Sequence, residues 1–114
     1  MAGRPAIPRA HHRHPLNGWV EYRQGKLFGS WVLLDVSTGG LCACGDLAGF
    51  EVGDQLQVNL RNGRTVLLMT MQLTWKRYDS TGVSVHGWEF LDEVADLPGF
   101  MASLTRQYGV MVSK

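Results

Sequence analysis

Two groups of residues in this chain have types and spacings that could do chemistry. The first is Arg9-Ala10-His11-His12-Arg13, with two arginines in an RxxxR spacing. The second is Asp35-Val36-Ser37-Thr38-Gly39-Gly40, a DxSxxG spacing. Guanidinium forks suit phosphates, and they also pair bidentately with O6 and N7 of guanine. A short carboxylate accepts from the N1–H and N2–H₂ edge of guanine, and a serine hydroxyl beside it donates or accepts. Glycines let the backbone approach a ligand closely. Together these groups complement an anion that also carries guanine. Arg13 and Asp35 lie 22 residues apart, so one strand out and one strand back can bring the two groups side by side.

Other residue types point to less. His11, His12 and His14 sit in the same basic segment, but no carboxylate or cysteine stands at a spacing that would complete a metal site, and no metal is expected. Cys42 and Cys44 are two positions apart, too close to staple a fold. In a strand they share one face, and they read as core filling. No nucleophile and general base stand at a diagnostic spacing, so an enzyme is not expected. The four tryptophans read mainly as barrel lining, with Trp75 the one candidate for a base platform.

The elements that must position these groups are mostly strands. Residues 1–16 form a basic, irregular arm interrupted by Pro5, Pro8 and Pro15, with Arg4, Arg9 and Arg13 and no acid. Short apolar runs come next, from Trp19, from Phe28, at Leu41–Cys44, from Leu56, at Val66–Trp75 and from Val83. Leu56, Val58 and Leu60 alternate with polar neighbours, the pattern of a half-buried strand. Asn62-Gly63 is a hairpin signal, and Gly87 reads as a bulge. Leu91, Val94, Leu97, Met101 and Leu104 recur at three- and four-residue steps, which predicts a helix over 91–108, broken or restarted at Pro98-Gly99. The expected fold is all-β: a flexible arm (1–16), a six-stranded antiparallel β-barrel (17–90) and a C-terminal α-helix (91–108) covering one opening.

The pair Arg9/Arg13 and Asp35/Ser37/Gly40 resembles the two-part signature of PilZ domains, bacterial receptors for cyclic di-GMP. Val52-Gly53-Asp54-Gln55-Leu56, Gln72-Leu73-Thr74-Trp75 and Gly87-Trp88-Glu89-Phe90 are similar to further strand motifs of that family, so the resemblance covers about residues 9–107. It implies a cyclic di-GMP site in which Arg9 and Arg13 grip phosphate and guanine, Asp35 and Ser37 read the second guanine edge, and Gly40 permits close approach. Trp75 or Arg77 would flank a base. Pro8 stands where relatives that take up two stacked ligands carry another Arg.

The bulk composition agrees with a small domain. The chain has 114 residues, 45% hydrophobic and 18% charged, with 14 glycines and a net charge of +1. One core fits that length. Near-neutral charge disfavours long nucleic acid, including a single-strand binder on an OB-like barrel. No stretch approaches the roughly 20 apolar residues of a membrane helix, and no apolar segment comes after the basic residues as in a signal peptide. The expectation is a cytoplasmic, non-catalytic receptor or adaptor with no cofactor, which passes its state to an unidentified protein target. The alternative is a nucleotide-independent interaction module on the same fold.

Overall fold

The computed structural model describes residues 15–106. The strands are β1 (Trp19–Gln24), β2 (Leu27–Val36), β3 (Gly40–Cys44), β4 (Gln55–Asn62), β5 (Thr65–Tyr78) and β6 (Ser84–Phe90), and after them comes one short helix, α1 (Leu97–Ala102). They close into a barrel in the order β1-β2-β3-β6-β5-β4, with every neighbouring pair antiparallel. The expected six-stranded barrel is therefore present. Closure gives every strand two neighbours, although residues 27–31 of β2 extend past β3 and residues 65–70 of β5 extend past β6.

Strand alternation sends one side chain in and the next out. Val20, Leu33, Leu60, Met69, Met71 and Leu73 are completely buried in the lumen. Large rings fill the rest. Trp31 stacks on Tyr22 with centroids 4.4 Å apart and on Trp88 at 5.3 Å. The two indole N–H groups are satisfied inside. The Trp88 indole N–H donates to His86 Nδ1 at 2.8 Å, which leaves His86 Nε2 as the donor toward the Gly45 carbonyl at 3.2 Å. The Trp31 indole donates to the Asp46 carbonyl at 2.6 Å. Phe50 meets Tyr22, Trp31 and Trp88 edge-on, so the β3–β4 connection plugs one mouth of the barrel.

The other mouth is covered by Leu97 and Phe100 of α1, with Leu16, Val94, Met101 and Leu104 packed around them. Here the expected helix over 91–108 is corrected. Only Leu97–Ala102 is helical, with Pro98 in its first turn, where the missing N–H costs nothing. Residues 91–96 are held as turns, because Leu91 N–H donates to the Thr70 carbonyl and the Asp92 carboxylate accepts from Thr70 N–H. After Ser103 the chain turns away to pair with the root of the arm. Asn17 N–H donates to the Thr105 carbonyl, Thr105 N–H donates to Asn17 Oδ1, and Leu16 bridges Arg106. Residues 107 and 108 of the expected helix lie outside the described residues.

Cys42 and Cys44 do share a face, but it is the outer one. The register puts Leu41 and Ala43 in the lumen and leaves both reduced cysteines half-buried on the outside, which corrects the core-filling expectation. Burial, with the nearby Asp79 charge second, raises the Cys44 thiol above its ordinary pKa.

Burial pushes the His86 pKa down from 6.5 to about 4, despite the opposing pull of its Gly45 hydrogen bond. Between those values the unfolded chain binds a proton that the folded chain refuses. Stability should therefore be full above pH 6.5 and fall as the pH drops toward 4, by on the order of 3 kcal/mol. Urea unfolding across that range should show the slope, and His86→Gln should flatten this component of it.

Candidate functional site

Two irregularities in the ladder build the outer face between β2 and β5. Leu33 pairs with Ala43 and Asp35 with Cys42, so Leu34 is an extra residue in β2. Leu73 pairs with Trp88 and Trp75 with Gly87, so Thr74 is an extra residue in β5. Each bulge reverses the facing of every later residue in its strand. Without them Asp35 and Trp75 would point into the lumen. With them, Asp35, Cys42, Gly87 and Trp75 form one row across β2, β3, β6 and β5. Gly87 was expected to be a bulge itself. It is instead the residue facing one, and the Thr74 hydroxyl donates to its carbonyl at 3.0 Å.

This row floors an open groove of about 420 Å³, bordered by Ser37 and Gly40 at the β2–β3 turn. The turn is tight. Ser37 N–H donates to the Gly40 carbonyl at 2.8 Å, and Gly39 N–H donates to the Ser37 hydroxyl at 3.3 Å. Gly40 has a backbone reason to be glycine, because a Cβ there would lie 2.1 Å from the Trp88 carbonyl oxygen on β6. Gly87 has a side-chain reason. Its missing Cβ is the space in which the Trp75 ring rests, and an added carbon would sit 2.1 Å from Trp75 Nε1. The Arg77 guanidinium stands 4.8 Å from the Trp75 ring centroid, a cation–π distance.

The groove thus unites four of the expected site residues: Asp35, Ser37, Gly40 and Trp75. Arg9 and Arg13, with His11, His12 and His14, lie outside the described residues. The arm's root is nevertheless fixed beside the groove, since Leu16 N–H donates to the Leu33 carbonyl at 2.9 Å. One groove-edge residue was not foreseen. Arg106 donates to Asp35 Oδ1 and to the Leu34 carbonyl, both at 2.6 Å. It lies 71 residues beyond Asp35 in sequence, in a stretch whose apolar spacing reads as helix, so no local signal marks it. Among the described residues no His, Cys, Asp and Glu cluster could hold a metal ion. No helix there is long and apolar enough to cross a membrane.

A family profile for the PilZ domain matches residues 8–97, most of the chain. The chain belongs to the PilZ domain family. The match spans the RxxxR and DxSxxG segments together with the whole barrel, and PilZ domains as a family are cyclic di-GMP receptors and adaptors rather than catalysts. No curated protein matches the chain.

The two glycines of this PilZ domain should respond differently to substitution. Gly87→Ala can be accommodated by expelling Trp75. It should cost about 1 kcal/mol and shift the Trp75 indole N–H resonance, and the cost should shrink in a Trp75→Ala background. Gly40→Ala meets backbone that cannot yield and should cost several times more, up to about 3 kcal/mol, in chemical denaturation.

Proposed function

We propose that this PilZ domain is a cytoplasmic bacterial receptor for cyclic di-GMP, without cofactor or catalytic activity, whose arm closes over the nucleotide and presents an altered surface to a protein target. The observation that carries this reading is the groove itself. Asp35 and Ser37 supply acceptors and a hydroxyl for a guanine edge, and Trp75 supplies an aromatic face at the far end of the row, braced by Gly87. Arg77 and Arg106 add positive charge at its borders, suited to phosphates.

Reach supports a role for the arm. Three strand spacings make the row from Asp35 to Trp75 roughly 14 Å wide. Arg9 stands six positions before Pro15, and an extended chain of that length reaches up to about 20 Å. Arg13 is tethered only two residues before Pro15, a reach of about 7 Å. On this reading the two guanidinium forks close on phosphate and guanine from above, while Asp35 and Ser37 hold the nucleotide from below. Ordering the arm costs conformational entropy, so occupancy and arm position are coupled.

Isothermal titration calorimetry of the full chain with cyclic di-GMP, with GTP and a short single-stranded DNA as controls, tests the reading. Saturable binding of cyclic di-GMP alone is expected. Arg9→Ala, Arg13→Ala and Asp35→Ala should each weaken it by roughly 2 kcal/mol or more, about thirtyfold. Arg9→Lys should fail nearly as badly, because lysine lacks the fork. Trp75→Ala should lose about 1 kcal/mol or more of stacking. Absence of heat at micromolar nucleotide would sink the receptor reading and leave a nucleotide-independent interaction module.

A further inference from the structure

The bulge that turns Asp35 into the groove takes one residue out of the β2–β3 ladder. Leu34 has no partner there, since Leu33 pairs with Ala43 and Asp35 with Cys42. Its carbonyl is met from another direction. Arg106 Nη1 donates to the Leu34 carbonyl at 2.6 Å. Nη2 of the same guanidinium donates to Asp35 Oδ1, also at 2.6 Å. One planar group thus grips both the bulge and the carboxylate that the bulge exposes.

Arg106 reaches β2 from a fixed base. Leu104 packs against the core, Thr105 exchanges two hydrogen bonds with Asn17, and Leu16 bridges Arg106. Leu16 in turn donates to the carbonyl of Leu33, the residue just before the bulge. Asp35 differs in this respect, because its side chain is 47% exposed in an open groove. A short side chain so placed ordinarily samples several χ1 rotamers. A bond that selects one rotamer in advance removes that ordering from the free energy of binding.

We propose that Arg106 is a positioning residue of the nucleotide site, acting on the ligand through Asp35. The inference rests on the cyclic di-GMP reading above and adds a residue to that same site. Both terminal nitrogens of Arg106 donate to β2, so its hold is on the strand that carries the guanine contact. An ionised carboxylate offers about four acceptor positions, enough for a bond from Arg106 together with two from a guanine edge. The guanidinium also offsets the repulsion between Asp35 and the phosphates of the ligand, which lets an acid read guanine in a site that takes up an anion. Lysine is a poor substitute, because one ammonium cannot span the carbonyl and the carboxylate as a planar fork does.

The test is titration of the full chain with cyclic di-GMP, by calorimetry and, where binding is weak, by amide NMR. Arg106→Gln and Arg106→Lys are compared with the parent, and each is also made in an Asp35→Ala background. Arg106→Gln should weaken binding at least tenfold, and Arg106→Lys nearly as much although it keeps the charge. In the Asp35→Ala background the same two changes should cost twofold or less, because the group they act through is gone. Without nucleotide, three-bond couplings across Asp35 χ1 should report one rotamer in the parent and averaged rotamers in Arg106→Gln. Chemical denaturation checks that each variant folds. If Arg106→Gln does not, Arg106→Lys must show the same pattern. The inference is overturned if the variants bind as well as the parent, or if Asp35 keeps a single rotamer in them. It is equally overturned if their loss persists undiminished in the Asp35→Ala background, which is the outcome for a direct phosphate contact or a purely structural residue. A parent that fails to bind the nucleotide is a separate result, which removes the receptor reading and this inference with it.

Discussion

Two extra residues decide what the candidate site of this PilZ domain can be. A strand has a period of two, so a single insertion exchanges its inner and outer faces from that point on. Leu34 does this in β2 and Thr74 does it in β5. The exchange turns a carboxylate and an indole out of the lumen and onto the same row, with Cys42 and Gly87 between them. It also turns Val36 toward the core, where it packs. Remove either bulge and the barrel must bury Asp35 or Trp75 in an apolar interior, at the cost of a charge without water or a ring without room.

The groove is tied to the interior through β6. Trp88 fills the lumen with its ring, anchors that ring on His86, and offers its backbone carbonyl to the close approach of Gly40. The β2–β3 turn that carries Ser37 therefore seats on the same residue that centres the aromatic core. The β3–β4 connection belongs to this arrangement too, since the carbonyls of Gly45 and Asp46 accept from His86 and Trp31. Rigid supports of this kind keep an outer site in place while one side of it stays open to a moving partner.

Much of this was legible in the sequence. Strand runs, the Asn62-Gly63 hairpin and the DxSxxG turn have local causes, so residue types are enough to position them. The features that escaped are set by pairing across strands. Nothing in Leu34 or Thr74 announces a bulge, and Gly87 attracted the assignment because glycine is the usual sign. The outward facing of Cys42 and Cys44 depends on the register with β6, which no single strand carries. The periodicity from Leu91 to Leu104 did mark residues that cover the barrel mouth, among them Val94, Leu97, Met101 and Leu104. It mistook their continuity, because turns tied to Thr70 can present the same apolar spacing as a helix.

Leu16 and Arg106 lie side by side, joined by a bridge, with Asn17 and Thr105 hydrogen-bonded next to them. A chain that enters and leaves a domain at the same spot can be spliced into a loop of another protein with little change in the spacing of its host. The geometry also governs mechanics. Tension applied through the two ends peels apart this short clasp one bond at a time, long before it loads the closed barrel in shear. The clasp includes the Arg106 contact to Asp35, so a pull on either end is felt at the edge of the groove before any strand is disturbed.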